Sequence, residues 1–179
     1  MPVHLVVEDG PWRGVSRVDV ARRARAMLGA LQMSDAELSI LLTGDDQIRN
    51  LNRIYRKKNR STDVLAFAQR EGEHGERAGR LLGDVVVSIP TTRRQAETAG
   101  RDLESELTML LAHGLLHLLG WDHDTASKDR AMRRETERLC VAADTPRRPR
   151  RSRVARVKGE TPRNANRNSP ARKTPRLAR

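Results

Sequence analysis

Aromatic residues are nearly missing from this chain: Trp12, Tyr55, Phe67 and Trp121 are all it has. Any core must therefore be built from Leu, Val, Ile and Ala. There is one cysteine, Cys140, so no intrachain disulfide can form and nothing points to secretion. No motif surrounds Cys140, and it reads as apolar filler on an amphipathic helix rather than as a reactive thiol. No apolar run approaches the roughly 18 residues that a membrane-spanning helix needs. The first nine residues lack a basic segment followed by an apolar one, so no signal peptide is expected and the cytoplasm is the expected compartment. Through residue 144 the chain also lacks any charge excess. Residues 145–179 hold 13 of the 35 basic residues and one of the 23 acids, which accounts for the whole formal charge of +12. The overall basicity is thus the basicity of the tail. It cannot be used to argue that the rest of the chain binds nucleic acid.

The informative feature is a cluster of histidines. Three of the five fall in His113-Gly114-Leu115-Leu116-His117-Leu118-Leu119-Gly120-Trp121-Asp122-His123. On an α-helix, residues four apart lie about 40° apart around the axis and roughly 6 Å along it. His113 and His117 can therefore face one metal ion. A continuing helix would turn His123 roughly 240° away from His117. Gly120 resolves this, because glycine accepts the left-handed conformation that ends helices and lets the chain swing back. Two helical histidines and a returning third suit one zinc ion with a fourth position left for water. Asp122 and Asp124 are candidates for partners of the site or a proton acceptor, with capping of the next helix the expected role of Asp124.

The same spacing occurs in the metzincin protease signature H-E-x-x-H-x-x-G-x-x-H. One position differs: Gly114 stands where those proteases carry the glutamate that acts as general base. Peptide hydrolysis by that mechanism is therefore disfavoured.

Periodicity supplies the surrounding elements. Strands are expected at 3–7, 37–42, 64–67 and 81–88, and helices at 18–31, 46–55, 90–99, 102–119 and 127–142. Thr43-Gly44-Asp45-Asp46 supplies a turn and capping residues for the second helix. Residues 53–63 form a polar loop with five basic residues. The segment 69–80 reads as a flexible connection between two antiparallel strands. Leucines on both sides of the histidines make 102–119 a helix buried over most of its circumference. Residues 1–144 are expected to form one domain. Residues 145–179, with five of the eight prolines, are expected to be a disordered basic tail.

Three segments carry a family resemblance. They are the histidine stretch, Leu51-Asn52-x-x-Tyr55-Arg56 followed by Ser61-Thr62-Asp63-Val64-Leu65-Ala66-Phe67, and Leu82-Gly83-Asp84-Val85. Together they resemble the YbeY family of bacterial rRNA-maturation endoribonucleases over residues 3–143. Asn59 stands where that family commonly has aspartate, and Ala66 and Ala68 where it commonly has serine and proline. The resemblance implies an α+β domain with a mixed, roughly four-stranded sheet. It also implies cleavage of single-stranded RNA, with the 16S rRNA precursor and the small ribosomal subunit and its proteins as partners. The implied roles are 3′-end maturation and ribosome quality control, and the implied functional arginine is Arg56. A planar guanidinium with a permanent charge suits phosphate oxygens. Two other classes stay open: a metzincin-like metalloprotease, and a non-catalytic ribosome-assembly factor with a structural metal.

Overall fold

The computed structural model describes residues 3–69 and 79–145. The expected disordered tail and most of the expected flexible connection lie outside the described residues. The elements are β1 (Val3–Val7), α1 (Arg17–Ala30), β2 (Glu37–Thr43), α2 (Asp45–Arg56), β3 (Val64–Ala68), β4 (Leu81–Ser88), α3 (Ile89–Thr98), α4 (Leu103–Leu118) and α5 (Ala126–Asp144). The four strands form one sheet in the order β1-β2-β4-β3. β1 and β2 are parallel, as are β2 and β4, whereas β3 runs antiparallel to β4. The architecture is therefore α+β with a mixed sheet, as expected. The antiparallel pairing of β3 and β4 was also expected.

β4 lies between two strands and is covered on both faces. Its apolar run, with Leu82, Val85, Val86 and Val87 all buried, is what such a position demands. Alternation along β3 and β4 sorts side chains to the two faces. Val64, Ala66, Val85 and Val87 join the larger core with α1, α3, α4 and α5. Leu65, Phe67 and Val86 join a smaller one with Ile48 and Leu51 of α2. The sheet thus separates α2 from α4.

Three helix starts follow local chemistry. Ser88 caps α3, with Pro90 in the first turn, and Asp102 caps α4 by accepting from the Ser105 N–H. α5 is capped by Thr125, which accepts from the Lys128 N–H. This corrects the expectation for Asp124. The start of α2 also differs from expectation. Gly44 occupies the cap without a side-chain bond, and Asp45 turns away to accept from Ser88, Thr91 and Arg94. Asp45 thereby ties α2 to α3. Burial opposes its ionisation, but those donors hold its carboxyl below the ordinary value. No helix among the described residues is long and apolar enough to cross a membrane.

α4 lies tight against the sheet at Gly114. A Cβ there would lie 2.8 Å from Val85 Cγ1 and 3.2 Å from Val64 Cγ2. Both neighbours are β-branched and cannot rotate freely out of the way. In helix propensity alone, alanine would be favoured over glycine by about 1 kcal/mol. Overpacking costs about 1–3 kcal/mol and is the larger effect. Gly114→Ala should therefore lower stability in urea unfolding, and a more stable variant would contradict the close approach.

Candidate metal centre

α4 is buried on most of its surface, with ten of its 16 residues buried. His113 and His117 are among the rest and are half-buried. Their Nε2 atoms lie 3.1 Å apart. The stop comes where the sequence requires it. Leu119 caps the helix, and Gly120 follows with φ +80°. The Gly120 N–H donates to the His117 carbonyl at 3.0 Å, and the Trp121 N–H to the Leu116 carbonyl at 3.1 Å. This is the Schellman pair of bonds that closes a helix through a left-handed residue. The chain then returns, and exposed His123 joins the other two.

The three rings converge. Centroids are 4.6 Å apart for His113 and His117, 5.4 Å for His117 and His123, and 5.9 Å for His113 and His123. One ring nitrogen from each lies within 4.8 Å of the others. A tetrahedral zinc at its usual distance from nitrogen spaces its ligands about 3.3 Å apart. The 3.1 Å pair is close to that spacing, and His123 is on a surface turn where a small approach completes the set. The donor set fits a metal ion.

Electrostatics favour neutral, lone-pair-bearing rings. Burial lowers the pKa of His113, and the imidazoles of His117 and His123 add to this, while Asp63 pulls the other way. Burial likewise lowers His117, followed by His123; a backbone hydrogen bond with Trp121 opposes them, and the charge of Arg56 lowers it further. An additional cation is unwelcome here unless it replaces the protons. A divalent metal does that.

Arg56, the expected functional arginine, ends α2, and its Nη2 donates to the Ala66 carbonyl at 3.4 Å. Ala66 belongs to β3, an edge strand. The guanidinium therefore lies at the open edge of the sheet, from which its charge acts on His117. The buried Asn52 secures this region by donating to the Arg60 carbonyl at 2.8 Å. Asp63 is a second anchor that residue types did not single out. It accepts from Thr62, from the Val64 N–H and from Gln95. Asp122 is held by Lys128 Nζ at 2.7 Å. That hydrogen bond, with a second from the Asp124 N–H, lowers its pKa and makes it a poor proton acceptor. Gly114 faces Val64 and Val85, so a glutamate at that position would be driven into the sheet rather than toward the histidines.

Two outcomes are expected. His117→Ala should lose the bound metal, measured by elemental analysis of the purified protein; full metal content would contradict the three-histidine site. The second is a pH effect on the metal-free protein. His113 and His117 have folded values below the ordinary value, so the unfolded chain takes up their protons first. Stability should be full above about pH 6.5 and decline as pH falls from there toward the folded values. Thermal midpoints that stay level or rise on acidification through this window would contradict the burial of these rings.

Comparison with known proteins adds identity to this geometry. The sequence profile of the family described as Endoribonuclease YbeY matches residues 16–143. The chain is 45% identical over 137 residues to an Endoribonuclease YbeY of Myxococcus xanthus, covering 76% of this chain and 46% of that protein. It is 50% identical over 120 residues to one of Anaeromyxobacter dehalogenans, covering 67% and 61%. A third, from Aquifex aeolicus, is 42% identical over 130 residues, covering 73% and 85%. The chain therefore spans about half to three fifths of the length of the first two relatives. A Thermotoga maritima protein solved in solution shares the fold, with a TM-score of 0.56 and 21% identity over 79% of this chain and 88% of that one. With the profile matched over most of its length and its three histidines converging on one point, the chain belongs to the YbeY family.

Proposed function

We propose that this protein is a zinc-dependent endoribonuclease, specific for single strands, that trims the 3′ end of the 16S rRNA precursor and serves ribosome quality control in the cytoplasm. The observation that carries the reading is the three-nitrogen cluster with a guanidinium acting on it from the sheet edge. The relatives named Endoribonuclease YbeY support the reaction class.

His113, His117 and His123 would hold one zinc ion. When bound, the ion supplies a Lewis acid that draws charge from a phosphoryl oxygen. Burial keeps His113 and His117 neutral, which leaves their lone pairs free. Arg56 brings a planar donor fork to the non-bridging oxygens and offsets the negative charge that grows there during cleavage.

The protease reading lacks its base. Peptide cleavage needs a proton delivered to the leaving amine, and the position that bears the protease glutamate is here the glycine wedged against β3 and β4.

Arg56→Glu should keep its metal and lose RNA cleavage by a hundredfold or more, about 3 kcal/mol by analogy with other charge-stabilising donors. Arg56→Lys should recover part of the rate, because it keeps the charge and loses the fork. Cleavage of a defined single-stranded RNA, scored with metal content, is the measurement. Normal cleavage by Arg56→Glu would remove the arginine from the mechanism. A wild type that binds small-subunit RNA and cuts nothing would establish the assembly-factor reading instead.

A further inference from the structure

The chain is poor in aromatics, yet two of its four are exposed, Tyr55 far more than Trp121. Tyr55 is 64% exposed. It sits one residue before Arg56, near the end of α2. Its ring is held edge-on to Phe67, with centroids 5.1 Å apart and planes at 63°. Phe67 is itself packed against the smaller core of Ile48, Leu65 and Val86. Tyr55 thus presents a ring to solvent while a fixed neighbour steadies it from behind. Burying so large an apolar surface ordinarily stabilises a fold, and here much of that is left unused.

The charge around the ring is one-signed. Residues 47–62 contain six Lys and Arg and no Asp or Glu. Among the described residues, none of the six forms an ion pair with a carboxylate. Their side-chain bonds go to neutral acceptors: Arg49 to Asn59, Arg53 to Asn50, Lys57 to the Ile54 carbonyl and Arg56 to the Ala66 carbonyl. Elsewhere the domain pairs its cations readily, as Arg94, Lys128 and Arg138 show. An uncompensated basic stretch around an exposed, braced aromatic ring has the chemistry of a single-stranded nucleic-acid platform: cations follow the backbone while a base stacks on the ring.

We propose that Tyr55 is a base-stacking residue and that the end of α2 with the loop after it is the surface over which single-stranded RNA enters the site. The proposal rests on the ribonuclease reading above and names the contact that reading leaves open. Arg56 lies at the edge of β3, between the α2 face that carries Tyr55 and the α4 face that carries the histidines. A strand crossing that edge places one base on Tyr55 and a neighbouring phosphate at Arg56. Tyr55 is a positioning residue; it touches RNA away from the reacting atoms. Stacking also supplies a preference for single strands, because the faces of bases inside a duplex are already occupied.

The test uses the full chain, stripped of metal with a chelator so that RNA is bound and not cut. The probe is a short single-stranded RNA with one 2-aminopurine, whose fluorescence is quenched when it stacks. Wild type and Tyr55→Phe should quench it and bind alike. Tyr55→Ala should lose the quench and bind about tenfold more weakly, with its affinity for duplex RNA unchanged. With metal restored, Tyr55→Ala should raise KM far more than it lowers kcat. Unchanged thermal unfolding of Tyr55→Ala, expected for a side chain this exposed, shows that the comparison is fair. Equal single-strand affinity and equal quenching in wild type and Tyr55→Ala would overturn the stacking role while leaving the ribonuclease reading intact. An equal loss of single-strand and duplex affinity would also overturn it, because the ring would then serve only the local fold. A wild type that neither binds nor cuts single-stranded RNA would remove both.

Discussion

Everything at the candidate site depends on how closely α4 lies against the sheet. Gly114 removes the one side chain that would hold the helix away from Val64 and Val85. With that contact made, His113 lies one residue before the seat and His117 three after it, both fixed relative to β3. Because β3 is an edge strand, the histidines come near an open side of the sheet rather than its middle. The same edge receives Arg56 from the opposite face. One missing Cβ therefore aligns two helices that the sheet otherwise keeps apart. It also makes the protease glutamate sterically inadmissible at that position. Packing and chemistry are decided by the same residue.

The electrostatics follow from this placement. Burial makes protonated imidazoles unfavourable, and Arg56 adds to the penalty at His117. Burial thus favours the neutral forms of His113 and His117, and Arg56 adds a positive charge beside them. Such a positive charge makes sense if an anion is to be brought there. The sequence through residue 144 has no net charge, so the local one-signed stretch of residues 47–62 stands out from its surroundings. It does not reflect a generally basic surface.

Much of the centre was legible beforehand because it is local. The spacing of His113, His117 and His123, with Gly120 between, encodes a helix, its stop and a return within eleven residues, and the Schellman bonds at Gly120 and Trp121 realise that reading. Helix periods and the β4 run were legible for the same reason. The order β1-β2-β4-β3 was not, since parallel pairing of β2 with β4 joins segments about forty residues apart, with no local mark of which strands become neighbours. Capping is ambiguous where several candidates stand together. Thr125 took the role expected of Asp124, and Asp45 was drawn into a bond with α3 that lies far along the chain. Gly114 was legible as an absence, the missing glutamate, but its positive role depends on Val64 and Val85 and becomes visible only when the helix is seated. Asn52 and Asp63 stand in the segments that carry the resemblance, but their anchoring roles depend on Arg60 and Gln95, which the fold brings to them.

The central claim is that these three histidines and their arginine neighbour serve phosphodiester cleavage and not peptide cleavage. The most direct measurement offers wild-type protein a defined single-stranded RNA and an unfolded polypeptide such as casein, before and after chelation and after zinc is returned. The account predicts that RNA is cut, that chelation stops the cutting, that zinc restores it, and that casein stays whole throughout. Zinc-dependent cutting of casein with RNA left intact would contradict it.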